Sequence, residues 1–252
     1  MKPLSLARDL QRRKARERHG LFVAEGVRAV EELLHSPLRI EHVLVSPSVN
    51  ATPRGSALRE QLAARAVPIS HVSDAELASA ADTESPQGAL AVAAIPRQSL
   101  DELPVGEHFL LLILDAVQDP GNVGTLLRTA AAFGAAATLA LPGTVDLWNA
   151  KVVRSAMGAL FRRPALHTTW PELDVFLRGH AVALWGAAAD GEPHHTVRAP
   201  ERLALVVGNE AGGLTEESRS RIQRRVSIPI EPDVESLNVA VAAGILLQRF
   251  RA

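Results

Sequence analysis

Residues 109–134 read FLLLILDAVQDPGNVGTLLRTAAAFG. Six consecutive apolar residues lead into a polar turn at Pro120-Gly121 and then a helical pattern over 123–133, the signature of a buried strand, a loop and a helix. The unit recurs downstream. Apolar runs ATLAL (137–141), AVALWG (181–186), LALVVG (203–208) and VSIPI (226–230) alternate with helical stretches at 148–161, 171–178 and 215–225, and a last helix is predicted from 237 to 250. That alternation predicts an α/β fold, a parallel sheet with crossover helices.

Upstream of this region, residues 95–108, IPRQSLDELPVGEH, are polar and bracketed by Pro96 and Pro104, which reads as a linker. The segment before it predicts a small α/β domain. It holds a helical pattern through Val27, Val30, Leu33 and Leu34, strands at 42–46 and 67–72, a helix near 56–66 and a closing strand at 85–95. We therefore expect an N-terminal domain over 1–97, a linker over 98–107 and a C-terminal domain over 108–252.

Composition narrows the function classes. Of the 252 residues, 47% are hydrophobic and 22% charged, which excludes a disordered or fibrous chain. No apolar run approaches the ~20 residues that span a bilayer, and the charged start, MKPLSLARDLQRRKARERHG, is unlike a signal peptide, so a cytoplasmic protein without a membrane partner is expected. With no cysteine, disulfides, thiol nucleophiles and thiolate metal sites are excluded. The pair His194-His195 lacks a spaced third ligand, and no metal is expected. Neither GxGxxG nor GxxxxGK[ST] follows a strand, which argues against a nucleotide-dependent oxidoreductase and against a P-loop enzyme.

The net charge of −1 conceals an asymmetry. Residues 1–28 carry eight Lys/Arg against three acids, whereas residues 29–104 carry five against ten. Arg12, Arg13, Lys14 and Arg16 form the densest part of this basic arm, which suits phosphate contacts. Charge alone equally describes a solvated, charge-rich first helix, and that is its first reading.

In open α/β sheets, ligands bind beyond the carboxyl ends of the strands. Three loops there carry chemistry. In 115–134, Asn122 is placed to cap the helix that presents Arg128. In VVGNEAGGLTEE (206–217), glycines surround Glu210 at the end of a buried strand, where a carboxylate needs a partner. In IPIEPDVESLNVAVAAGILLQRF (228–250), Ser236 is placed to cap a helix whose residues 239–247 are all apolar or small, which predicts burial on every side.

In this order the three loops resemble the three motifs of the SpoU (TrmH) family of RNA ribose 2'-O-methyltransferases, within the SPOUT superfamily. Asn122 and Arg128 match the first motif, Gly208, Asn209, Glu210 and Gly213 the second, and Ile228, Pro229, Ser236, Leu237 and Asn238 the third. KVVRSAMGALFRRP (151–164), PQGALAVA (86–93) and GLFVAEGVRAVEELL (20–34) extend the likeness over nearly the whole chain, and Ala240 departs from it where relatives often carry serine.

The resemblance implies a catalytic domain with a C-terminal trefoil knot, S-adenosyl-L-methionine as methyl donor, structured RNA (rRNA or tRNA) as substrate, and a homodimer. It also implies that Arg128, Asn122, Glu210, Ser236 and Asn238 serve catalysis and that Gly208, Ile228, Leu237, Gly186 and Pro229 contact the cofactor. Arg12, Arg13, Lys14 and Arg16 would hold RNA. A catalytically silent RNA-binding paralogue is the alternative, and such a protein would have shed polar motif residues that are all present here.

Overall fold

A computed structural model describes residues 2–65 and 67–251. They form two compact units, one comprising residues up to Arg97 together with Trp148–Arg162, the other Gln98–Leu147 together with the residues from Arg163 onward.

The first unit begins with two short helices, α1 (Pro3–Asp9) and α2 (Arg13–His19), followed by β1 (Leu21–Glu25), α3 (Val27–Leu34), β2 (Ile40–Val45), α4 (Pro53–Ala64), β3 (Ile69–His71), α5 (Asp74–Ala78) and β4 (Ala89–Ala94). Its sheet runs β1-β4-β2-β3 and is mixed, with β4 antiparallel to both β1 and β2 and β3 parallel to β2. Strand β1 has no counterpart in the expected element order. Its five residues precede a helix after a single glycine, Gly26, whose φ of 98° lies where a side chain is disfavoured.

The second unit contains β5 (Phe109–Leu114), α6 (Pro120–Ala132) and β6 (Ala137–Ala140), and later β7 (Ala165–His167), α8 (Trp170–Gly179), β8 (Ala183–Pro193), β9 (Arg202–Val207), α9 (Glu216–Arg221), β10 (Arg224–Ser227) and α10 (Val239–Phe250). Its six strands are all parallel, in the order β10-β8-β9-β5-β6-β7. The expected parallel sheet is present, with β7 as an additional short strand. Leu111, Ile113, Ala204 and Val206 fill its centre without exposed surface, and truncating one of these leucines or isoleucines to alanine would cost roughly 2–5 kcal/mol.

Three expectations need correction. The helix expected over 148–161 is shorter: α7 (Ala150–Ser155) is followed by Gly158 at a φ of 86° and a 3-10 turn over Ala159–Phe161. This stretch also packs in the first unit, where Phe22 lies 4.5 Å from the ring of Trp148 and 5.7 Å from that of Phe161. The expected linker is not free chain, because Leu103 is buried in the core of the second unit with Leu100 and Val105 against it. The third concerns VSIPI: pairing ends at Ser227, and Ile228, Pro229 and Ile230 begin a loop. Among the described residues no helix is long and apolar enough to cross a membrane.

Candidate active site

In the second unit the chain runs from β5 to β6 and β7 on one side, while β9, β8 and β10 lie on the other. Such a point of reversal leaves a crevice at the carboxyl ends of the strands. The loops after β5, β9 and β10 converge there.

Their meeting point is a chain of side-chain amides. Asn238 is the residue that caps α10, its Oδ1 accepting from the backbone N–H of Ala240 at 2.9 Å and of Val241 at 3.3 Å. With its oxygen so engaged, its Nδ2 donates to Asn122 Oδ1 at 2.9 Å, and Asn122 Nδ2 in turn donates to Glu210 Oε1 at 2.9 Å. Glu210 is exposed rather than buried at the strand end, and its carboxylate has two partners, Asn122 and, at 3.4 Å, Asn209 Nδ2. Two expected caps are corrected by this arrangement. Helix α6 is capped by Asp119, whose Oδ1 accepts from Asn122 N at 2.8 Å, which frees the Asn122 side chain; α10 is capped by Asn238 rather than Ser236.

Behind this chain lies a cavity of about 530 Å³, lined by Gly208, Glu210, Ile228, Ser236, Leu237 and Asn238 among others. One further part of its wall, Ala187, Ala188 and Ala189, was missed in the sequence. These alanines belong to a bulge. Arg225 pairs with Gly186 but the next residue, Val226, pairs with Glu192, so residues 187–191 stand out of the ladder, and Ala187, Ala188 and Ala189 among them line the cavity. The run of small residues after AVALWG was the available signal.

Two expected cofactor residues, Gly186 and Pro229, are not among the described residues lining this cavity. Gly186 is small for packing, since a Cβ there would run into the side chains of Ile222 and Leu214. Gly208 does line the cavity, but its need for glycine also has a different origin from ligand approach: a Cβ would strike the backbone of Gly213 and Leu214, where the loop folds back on itself.

Arg128 is exposed on α6 and is not among the residues that line the cavity. Six residues beyond Asn122, it sits about 9 Å further along the helix and about 120° around it. Helices α6 and α10 pack against each other within one chain, with Thr129 Cγ2 close to Gly244. The all-round burial expected of the last helix is therefore incomplete: Ala240, Ala243, Leu246, Leu247 and Phe250 are buried, whereas Val241 is 52% exposed.

In the first unit the four basic residues do not form one uniform face. Arg12, Arg13 and Lys14 are exposed, with Arg12 paired to Asp9 and Arg13 Nε 2.7 Å from Glu17 Oε1. The Arg12 hydrogen bond, aided by the charges of Arg18 and His19, holds the Asp9 carboxyl below its ordinary value. Arg16 is only 4% exposed, and its Nη1 donates to the carbonyls of Leu10 at 2.8 Å and Gln11 at 2.9 Å. It fastens the turn between α1 and α2 and is removed from the expected RNA-contacting set.

The profile of the SpoU rRNA Methylase family matches residues 109–248, and that of the MRM3-like substrate binding domain matches residues 5–91. The chain belongs to the SpoU methylase family. Among SpoU relatives, it is 34% identical over 245 residues to the 23S rRNA (guanosine(2553)-2'-O)-methyltransferase RlmP of Bacillus subtilis, covering 97% of this chain and 94% of that protein. It is 28% identical to the 23S rRNA (uridine(2479)-2'-O)-methyltransferase of Streptomyces viridochromogenes, covering 94% and 85%. The crystal structure of the SpoU methyltransferase AviRb from Streptomyces viridochromogenes in complex with AdoMet superposes with a TM-score of 0.90 at 27% identity, over 99% of this chain and 96% of that one.

Proposed function

We propose that this SpoU protein transfers the methyl group of S-adenosylmethionine to a ribose 2'-hydroxyl of rRNA. The observation that carries the reading is the Asn238–Asn122–Glu210 chain, which joins the three family motifs at the mouth of one cavity. The relatives named as 23S rRNA 2'-O-methyltransferases, and the neighbour solved with AdoMet, support both substrate and donor.

The residues present suit the donor. The cavity falls within the roughly 300–1,000 Å³ of small-molecule sites. Val207, Ile228, Leu237 and Leu246 offer apolar walls for a flat nucleobase, and Glu235, Ser236 and backbone groups of 208–211 and 226–228 offer polar partners for ribose and amino acid. When bound, S-adenosylmethionine supplies an electrophilic methyl group on a sulfonium.

The chain's own task is to present the nucleophile. A ribose hydroxyl attacks only as its proton is drawn away. A guanidinium, which holds its proton throughout the physiological range, is a poor base but a good bidentate clamp for phosphate. Arg128 grips the phosphate beside the target ribose, orients the 2'-hydroxyl and stabilises negative charge developing on its oxygen, while the proton passes to a phosphate oxygen. Asn122, Glu210, Ser236 and Asn238 hold the ribose against the methyl donor.

The same reading includes a homodimer in which Arg128 of one subunit completes the site of the other. The exposure of Val241, the place of Arg128 away from its own cavity and the apolar surface of α10 support it. It also includes a trefoil knot. After β10 at the sheet edge, the chain must pass the carboxyl ends of β8 and β9 to bring α10 against α6, which supports threading there. We assign RNA docking to residues 1–97, with Arg12, Arg13 and Lys14 as phosphate contacts, a connecting segment to 98–107, and the chemistry to 108–252, and we place the reaction in the cytoplasm. Calorimetry with S-adenosylmethionine, followed by methyl transfer from labelled donor to rRNA, tests the reading; absence of cofactor binding by the folded protein would refute it.

A further inference from the structure

We propose that Asn209, together with Asp115, is a positioning residue that ties the glycine loop after β9 to the loop carrying Asn122 and Arg128, so that the cofactor side and the nucleophile side of the site move as one. The inference rests on the methyltransferase reading above. Asn209 touches the amide chain at the cavity mouth only through a longer hydrogen bond, Nδ2 to Glu210 Oε2 at 3.4 Å; the anchors argued here, on Ala116 and Asp115, lie outside that chain.

The loop of residues 208–215 is solvent-facing from Glu210 to Gly213 and would be mobile if held only by its own turn. Asn209 organises it from within. Its Oδ1 accepts from the N–H groups of Ala211 at 2.9 Å and Gly212 at 3.0 Å, while its backbone exchanges two 2.9 Å hydrogen bonds with Gly213. The other half of the same carboxamide leaves the loop: Nδ2 donates to the carbonyl of Ala116 at 2.9 Å. At the far end, the Asp115 carboxylate, 2% exposed, accepts from Thr215 N at 2.7 Å and from Thr215 Oγ1 at 3.1 Å. Both ends of the loop are therefore fastened to two consecutive residues at the root of the β5–α6 loop.

That root is itself constrained. Ala116 has a φ of 56°, in the left-handed region that non-glycine residues disfavour, and a Cβ on Gly143 would stand 3.0 Å from the Cβ of Ala116. A strained conformation persists when surrounding contacts over-determine it. The Asn209 hydrogen bond to the Ala116 carbonyl is one such contact. It fixes the plane of the peptide from which the Asn122 and Arg128 loop departs.

Asn209→Ser tests this. A serine hydroxyl replaces the acceptor of the internal turn but cannot reach Ala116. Asn209→Asp keeps the acceptor in the same place and removes the donor. Because Asn209 also lines the cavity, S-adenosylmethionine affinity by calorimetry is expected to fall in both variants, but by no more than about tenfold. Turnover with RNA falls about 100-fold, the loss expected for reacting groups displaced by about 1 Å. Wild-type turnover in both variants would overturn the proposal. So would a parallel loss of cofactor affinity, turnover and melting temperature, which would mark Asn209 as merely structural. A wild-type protein that binds no cofactor would instead refute the functional reading itself.

Discussion

Asn122 and Asn238 are 116 residues apart in the chain and meet amide to amide at 2.9 Å. Each is committed elsewhere as well, Asn238 to the N-terminus of α10 and Asn122 to Glu210, so the pair locks the first motif to the third and, through Glu210, to the second.

Because the pair acts as a unit, its removal should be non-additive. Asn122→Ala and Asn238→Ala are each expected to lower kcat by about 100-fold, as for a misplacement of about 1 Å. The double variant should lose little more than either single one. A double-mutant cycle on kcat/KM measures this; full additivity would show that the hydrogen bond contributes nothing to turnover.

Arg16 provides a test of structure against charge. Removing a buried guanidinium that satisfies two carbonyls should destabilise the protein by about 1.5–3 kcal/mol, read as a lower denaturant midpoint. Neutralising Arg12, Arg13 and Lys14 together should leave that midpoint nearly unchanged, weaken RNA binding and reduce its salt dependence. Unchanged RNA affinity would mean that the exposed arm is only solvated.

The sequence made the parallel sheet legible because buried strands such as FLLLIL and LALVVG are continuous apolar runs bounded by polar turns. The three loops were legible because their residue types and order are specific. What escaped was tertiary in origin. The burial of Arg16 depends on the turn between α1 and α2, and no charge count distinguishes it from Arg12. The roles of Asp115 and Asn209 depend on loops about a hundred residues apart in sequence meeting at one strand end. Likewise, the helix expected at 148–161 was a fair pattern, but Gly158 at positive φ and the aromatic contacts of Phe22 decide its length and its unit.

The proposed two-subunit site predicts complementation. Arg128→Ala and Asn238→Ala proteins should each be nearly inactive alone. Mixed and re-annealed, they should regain activity, because half of the sites in a heterodimer keep both wild-type residues. If heterodimers form and activity does not return, the shared site is wrong.

Stability should depend on pH through His194. Burial, with the charges of His195 and Arg249, holds its pKa below the ordinary 6.5. The unfolded chain therefore takes up the proton first. Stability associated with this histidine is fully present above about pH 6.5 and is lost as pH falls through the folded-state value. Urea midpoints measured from neutral to mildly acidic pH should decline less in His194→Gln than in wild type; parallel curves would assign the decline to other groups.

The most direct measurement maps 2'-O-methyl groups on rRNA incubated with purified protein and S-adenosylmethionine, beside an Arg128→Ala variant shown by calorimetry to bind the cofactor. The account predicts a discrete ribose 2'-O-methylation with wild type and its loss, or a reduction of about 100-fold, with the variant. Methylation of a base, no methylation of any RNA by a cofactor-binding wild type, or equal ribose methylation by the Arg128→Ala protein would contradict it.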